Sequence, residues 1–311
     1  MDARRDAVTG AFGFTGRAIA TGLLEAGREV VTLSRRSGRG DDLARRIAVK
    51  PLDFTRPDRL VEALTGVATL YNTYWLRFPR DGMTYERAVE QSAVLLAAAR
   101  QAGVERIVHV SVVNASPDGP TPYIRAKARL EAVVATCGIP AVIVRPTLTY
   151  GPADILVNNL AWALRRLPVY GIPGDGRYPI QPVHVDDVAR ICIEAANGES
   201  GTTMDAAGPD TLVYREMVDI VRGAIGSRAL VVPMPRIAVL TAAAALGLLV
   251  RDVVLTRDEV LELSSGFLAS GAVPLGRIVF ADWANANAEQ LGRRWSSELA
   301  RNYRIAAPPH S

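Results

Sequence analysis

Along the first two-thirds of the chain, short apolar runs rich in β-branched residues alternate with longer stretches whose apolar positions recur at helical spacing. The short runs predict strands at residues 7–9, 30–33, 47–51, 69–72, 107–111, 141–144 and 203–205. The longer ones predict helices at 17–26, 59–64, 85–102 and 123–136, and Gly27, Gly103 and Gly138 stand where a helix closes on a left-handed residue. Strands and helices alternating in this way read as a parallel sheet covered on both faces, so the expected fold class is α/β and doubly wound.

After about residue 211 the strands thin out. Helical patterns take over at 214–225 and 236–249, followed by an amphipathic segment at 282–303 that carries Trp283, Leu291, Trp295 and Leu299. The expected division is a nucleotide-binding domain at 1–228, with substrate-side insertions around 150–182, and a smaller, mainly helical C-terminal cap at 229–311 packed on it. The most apolar run, residues 237–250 between Arg236 and Arg251, is shorter than the ~20 residues a bilayer span needs. It reads as a buried helix.

Composition narrows the function classes. The formal charge of +4 is spread over short arginine pairs (Arg35-Arg36, Arg45-Arg46, Arg165-Arg166, Arg293-Arg294) set among acids, which argues against nucleic-acid binding. Cys137 and Cys192 stand apart, with no CxxC and no histidine cluster, so neither a disulfide framework nor a metal site is expected. The N-terminus lacks an apolar leader and runs directly into a motif, and a reducing cytoplasm is the expected compartment.

That motif is GxxGxxG, formed by Gly10, Gly13 and Gly16 between the first predicted strand and helix. Such glycines permit a tight turn, a close backbone approach to a pyrophosphate and close helix packing, while the helix N-terminus offers unpaired N–H groups. The pattern predicts a Rossmann-type dinucleotide site. The second strand ends in Ser34, Arg35 and Arg36 where an NAD-preferring site carries an acid, so a 2′-phosphate is favoured and NADP(H) is preferred over NAD(H). Asp53, just after the third strand, is a candidate for the adenine amino group and equally a turn residue.

The chain has 34 arginines and two lysines, Lys50 and Lys127. Lys127 lies four residues after Tyr123, behind Thr121 and Pro122, which suit a helix N-cap and first position. The two side chains therefore share a helix face. A phenol is a poor acid or base at neutral pH, and a neighbouring ammonium favours its ionised form while also reaching ribose hydroxyls. A guanidinium is too wide to do both.

Taken together, GxxGxxG, YxxxK, "RPTLTYGP" at 145–152 and "PVHVDDVAR" at 182–190 resemble the extended and atypical short-chain dehydrogenase/reductase superfamily. "HVSVVN", "YIRAK" and "QPVHVDDVA" most resemble the atypical, NmrA-like and epimerase-like branch that includes the NADPH-binding accessory subunit of respiratory complex I. The resemblance covers about residues 7–225. It implies that Gly10, Gly13 and Gly16 hold the pyrophosphate, Arg35 the 2′-phosphate and Lys127 the nicotinamide ribose, with Tyr123 as the acid–base residue. The cofactor set is completed by Phe12, Phe14, Thr15, Ser34, Arg36, Asp53, Phe54, Asn72, Thr73, Ser111, Pro146 and Thr147. Tyr74, Trp75, Asn114, Tyr150, Asn158, Arg177, Tyr178 and His184 are expected on the substrate side, where Phe78, Ile155, Leu156 and Trp162 add to an apolar lining.

One position departs from the pattern. Active members place a serine or threonine at the end of the fifth strand to hydrogen-bond the substrate oxygen, and here Ser111 stands at that site or one residue before it. If Val112 is in register instead, the partner is missing or must come from Asn114, Ser116 or Thr73. His184 reads as a core or supporting residue, and Asp186 and Asp187 as the N-terminal cap of a helix at 188–196. Two function classes follow. One is an NADP(H)-dependent oxidoreductase, or a redox-neutral epimerase or isomerase, acting on a small hydrophobic or aromatic carbonyl, enone or quinone. The other is a non-catalytic protein that holds NADPH as a structural or sensory ligand and acts through a partner. In either case a homodimer or protein partner is expected to engage through the C-terminal helices.

Overall fold

The computed structural model describes residues 4–38 and 40–303, apart from the Asn302 side chain. The first three residues of the N-terminal reading and residues 304–311 of the expected cap lie outside it. In chain order the elements are β1 (Arg5–Thr9), α1 (Phe14–Glu25), β2 (Glu29–Ser34), β3 (Ala48–Pro51), α2 (Pro57–Leu64), β4 (Val67–Asn72), α3 (Tyr85–Gln101), β5 (Arg106–Val110), α4 (Pro122–Ala135) and β6 (Ala141–Pro146). There follow β7 (Leu148–Tyr150), α5 (Leu156–Arg166), β8 (Val169–Pro173), β9 (Pro179–Ile180), β10 (Pro182–His184), α6 (Val185–Ala195) and β11 (Thr203–Ala206). The chain continues through β12 (Leu212–Val213), α7 (Tyr214–Ala224), β13 (Leu230–Met234), α8 (Arg236–Val250), α9 (Arg257–Ser264) and α10 (Phe280–Ala286).

Two compact units emerge, residues 1–146 with 185–206 and residues 147–184 with 207–311. The division differs from a single boundary at 228, because the chain leaves the first unit after β6 and returns to it for α6 and β11.

In the first unit, seven strands pair in the order β11-β6-β5-β4-β1-β2-β3, all parallel. Helices α2, α3 and α4 pack side by side, and α1 packs on α6, so the sheet is doubly wound. The strands read as near-continuous apolar runs because helices cover the sheet on both sides. Leu33, Leu70, Leu95, Leu96, Ile107 and Leu130 belong to the resulting core. The strand order reverses between β1 and β4, which opens a crevice at their carboxyl ends.

In the second unit, three two-stranded pairs (β10 with β7, β12 with β9, β13 with β8) support α5, α7 and α10 around a core that includes Tyr150, Met217, Phe280 and Trp283. Three expectations are corrected here. The segment at 282–303 is not one helix: α10 ends at Ala286, and Gly292 takes φ +72° where a Cβ would run into the Ala161–Trp162 peptide of α5. Asp186 and Asp187 do not precede a helix. They lie inside the first turn of α6, which starts at Val185 directly after β10. The apolar run at 237–250 is helical, but α8 buries only Val239. Among the described residues no helix is long and apolar enough to cross a membrane, and no group of three or more His, Cys, Asp or Glu is arranged to hold a metal ion.

Candidate functional site

The glycine turn joins β1 to α1. Gly10 takes φ +67°, and its N–H donates to the Leu33 carbonyl at 2.9 Å, which ties the turn to β2. Gly13 is the N-cap of α1 and offers no side chain to its first turn, which leaves the helix N-terminus to a ligand. A Cβ on Gly16 would lie 2.8 Å from the Gly10 carbonyl carbon and closer still to its oxygen, so α1 reaches the turn only because residue 16 is glycine. These backbone features fit a dinucleotide pyrophosphate. Phe12 is buried against Gly38, Phe14 opens α1, and Thr15 lies in its first turn. Thr32, which sequence reasoning did not single out, braces the turn: its hydroxyl donates to the Val8 carbonyl at 2.8 Å and accepts from the Ala11 N–H at 3.1 Å.

At the end of β2, the Ser34 hydroxyl accepts from the Arg36 N–H at 2.9 Å, and the Arg36 guanidinium donates to the Phe12 carbonyl at 3.2 Å. Arg35 is exposed beside them. Arg17 pairs with Asp41 across the same region. Asp53 closes an Asx turn on Thr55, and the Thr55 hydroxyl, with its N–H, holds the carboxyl below the ordinary range. Phe54 packs on Tyr74 with ring centroids 4.9 Å apart.

Asn72 is fully buried at the end of β4. Its Oδ1 accepts from the Tyr74 N–H at 3.1 Å and from the Thr9 hydroxyl at 3.2 Å, while Thr73 N–H donates to that hydroxyl at 2.7 Å. The side chain of Asn72 is thus spent within the protein, holding β1 and β4 together at the crevice. Tyr74 is likewise core: its hydroxyl donates to Gln91 on α3 at 2.5 Å.

Thr121 caps α4, accepting from the Ile124 N–H at 3.3 Å, with Pro122 in the first turn. This sets Tyr123 and Lys127 against one aromatic wall. The Tyr123 ring meets Trp75 edge-on at 6.1 Å and Tyr85 at 5.8 Å, and the Lys127 ammonium sits 4.5 Å over the Trp75 ring. Lys127 Nζ also donates to the Val110 carbonyl at 3.2 Å, tying α4 to the end of β5. Burial lowers the ammonium to about 7, opposed by the Glu131 carboxylate one helical turn on. Glu131 in turn grips Arg145 on β6, with Nε donating at 2.9 Å.

Ser111 lies one residue past β5, and its N–H still donates to the Val144 carbonyl at 2.8 Å. Its hydroxyl is buried, with no hydrogen-bond partner among the described residues. Val112 and Val113 are buried, and Asn114 is exposed with φ +57°.

His109 was missed from sequence. It is fully buried on β5, two residues before Ser111 and so on the same strand face. Because Asn72 Oδ1 accepts the Tyr74 N–H, its Nδ2 faces His109 Nδ1 at 3.3 Å, which makes Nδ1 the acceptor and leaves the proton on Nε2. Nε2 has no hydrogen-bond partner among the described residues, and burial, reinforced by the Lys127 charge, lowers the imidazole to about 3.

Of the other expected substrate-side residues, Phe78 is buried in the first unit and the rest belong to the second. Tyr150 is core there, donating to the Ile278 carbonyl at 2.9 Å and meeting His184, Phe280 and Trp283 edge-on. Asn158 is spent on the C-terminal segment, donating to the Arg294 carbonyl at 2.9 Å and accepting from the Gly292 N–H at 3.0 Å. Arg177 is exposed, and Tyr178 stacks on Tyr214 at 5.6 Å. Trp162 packs edge-on against Trp295 at 5.1 Å. Pro146 ends β6 in the first unit, whereas Thr147 opens the second and donates to the Gln181 carbonyl at 2.5 Å.

The model of the NAD dependent epimerase/dehydratase family matches residues 7–206. Among curated proteins, the chain is 28% identical over 227 residues to NADH dehydrogenase [ubiquinone] 1 alpha subcomplex subunit 9, mitochondrial, of Arabidopsis thaliana, covering 68% of this chain and 56% of that protein. More widely, the chain spans between 33% and 62% of the length of such relatives. Among solved structures, triphenylmethane reductase of Citrobacter sp. complexed with NADP(H) superposes with a TM-score of 0.75 at 19% identity, over 91% of this chain and 99% of that one. The NADPH-dependent quinone oxidoreductase of Escherichia coli, complexed with NADPH, gives 0.73 at 19% identity, over 90% and 98%. At such identities the likeness is one of fold.

Proposed function

The chain belongs to the NAD-dependent epimerase/dehydratase family, and from that premise we propose that it is an NADP(H)-dependent reductase of a small hydrophobic or aromatic carbonyl, enone or quinone compound. The observation that carries the reading is the meeting of Tyr123 and Lys127 on one aromatic wall, with the Lys127 ammonium bonded to the end of the strand that leads into Ser111.

When bound, the reduced nicotinamide supplies a hydride to the substrate carbon. Tyr123 gives its phenolic proton to the substrate oxygen, and the neighbouring Lys127 ammonium favours the phenolate left behind. The Ser111 hydroxyl, buried and open to a partner, donates to the same oxygen. Lys127 holds the nicotinamide ribose, the first turn of α1 the pyrophosphate, and Ser34, Arg35 and Arg36 the 2′-phosphate. Trp75 and Tyr85 give the wall beside Tyr123 a flat apolar character, which suits a planar unsaturated substrate better than a sugar. The names of the two fold neighbours, a dye reductase and a quinone oxidoreductase, are in keeping with this choice.

The test loads the protein with C4-deuterated NADPH, adds a small-molecule extract of the source cell and follows deuterium by mass spectrometry. Label entering a metabolite with the parent protein, and not with Tyr123→Phe, supports the reductase and names its substrate class. Tight NADPH binding with no transfer turns the assignment toward a redox-neutral epimerase or an NADPH-holding protein. Normal turnover by Tyr123→Phe would remove the tyrosine from the mechanism.

A further inference from the structure

Helix α8 is 15 residues long, about 22 Å, and carries no charged residue between Arg236 at its start and Arg251 just past its end. A helix apolar all round normally lies inside a protein. Here only Val239 is buried, while Ile237, Leu248 and Leu249 are 72%, 84% and 77% exposed. The outer face runs Ile237, Thr241, Ala245, Leu248, at helical spacing. Its one polar side chain is already satisfied, since the Thr241 hydroxyl donates to the Ile237 carbonyl at 2.9 Å. The face therefore offers hydrocarbon without an unmet side-chain hydrogen bond, a condition that a low-dielectric partner demands and water does not.

The surrounding charge narrows the partner. Residues 220–251 carry Arg222, Arg228, Arg236 and Arg251 and no carboxylate; Arg222 is paired with Asp219 at 3.1 Å, so Arg228, Arg236 and Arg251 are the ones that count toward a partner. The next acid, Asp252, is buried and turns its carboxylate inward, accepting from Val253 N–H at 3.0 Å, Trp295 Nε1 at 2.9 Å, Glu298 N–H at 2.9 Å and Leu299 N–H at 3.0 Å. Asp258 and Glu259 follow in the first turn of α9, where Glu259 closes a capping box with Thr256. A second copy of the chain fits this face poorly. Pairing two α8 helices antiparallel sets Arg236 beside Arg251 of the other copy, and pairing them parallel sets each arginine beside itself, so either arrangement brings like charges together. An anionic lipid surface provides both things the helix presents a need for, acyl chains for the outer face and headgroup phosphates for arginines at its two ends.

We propose that α8 docks this protein on anionic membrane surfaces, with its axis along the interface and Arg236 and Arg251 reaching the headgroups. At 15 residues the helix is too short to span the bilayer, so the mode is peripheral. Full-length protein is sedimented with phosphatidylcholine vesicles made with or without phosphatidylglycerol. The expected result is binding at least about tenfold stronger to the anionic vesicles, weakening as salt is raised. Leu248→Glu combined with Leu249→Glu should abolish it while the circular dichroism spectrum and melting temperature stay those of the parent. As a gentler variant, Arg236→Ser with Arg251→Ser should remove the preference for anionic lipid. Absence of sedimentation with either vesicle, or equal binding to both, overturns the proposal. So does a concentration-dependent dimer in light scattering that the double glutamate variant dissolves, which would make a second copy the occupant.

Discussion

At the scale of single residues, Lys127 shows how a rare side chain becomes a titrating one. Burial lowers its ammonium from 10.5 to about 7, with the Glu131 carboxylate opposing. Between those values the unfolded chain keeps a proton that the folded chain releases, so stability rises as pH climbs from about 7 toward 10.5 and carries the whole penalty below 7. Lys127→Met should accordingly stabilise the free protein by ~1–3 kcal/mol near pH 6, with the gain shrinking toward pH 10, while nucleotide binding is lost. Denaturant titrations of both proteins across that range decide it, and a pH-independent difference would refute the burial argument. Lys127 was legible because it stands out in composition and falls four residues after a tyrosine. His109, Glu131 and Thr32 were not, because what distinguishes each is a partner far away in sequence: Asn72, Arg145 and Ala11.

At the scale of elements, the turn before α1 and the latch around Asp252 each depend on one position. Gly16→Ala puts a methyl against the Gly10 carbonyl, and α1 must move away to admit it. The expected outcome is a loss of ~1–3 kcal/mol in unfolding free energy together with a large drop in NADPH affinity, both readable by thermal melts with and without nucleotide. Unchanged affinity would mean that the helix N-terminus does not hold the pyrophosphate. Asp252→Ala strands the Trp295 indole and the backbone N–H groups of Glu298 and Leu299, and should cost about 2–4 kcal/mol in chemical denaturation. The break after α10 had no such legibility, since the apolar spacing of 282–303 fits a helix and the obstacle to one is the backbone of α5.

At the scale of the whole molecule, the chain forms two units rather than a sheet domain followed by a cap, because α6 and β11 return to complete the sheet after an excursion through β7–β10. The proposed cofactor residues of the glycine turn, β2 and α4 all belong to the first unit. NADPH at about 100 times its dissociation constant should raise the stability of a cooperative unit by ~2.7 kcal/mol. Hydrogen exchange should then slow at residues 10–17, 34–36 and the start of α4. NADH at equal concentration should protect residues 34–36 less, since it carries nothing for Arg35 and Arg36 to bind. Equal protection by both nucleotides would sink the preference for the 2′-phosphate.

The sequence by itself determined the strands and helices of the sheet, the glycine turn, the basic end of β2 and the Tyr123–Lys127 pair. All of these rest on short-range rules: apolar period, turn stereochemistry, and residues one helical turn apart. Only the tertiary structure decided that Asn72 and Asn158 are spent as internal ties, that Tyr74 and Tyr150 are core, that Ser111 keeps a buried hydroxyl open, and that an apolar helix stays uncovered. Each of those turns on which distant segment comes alongside, and apolar patterning states that a side chain seeks cover without stating what will cover it.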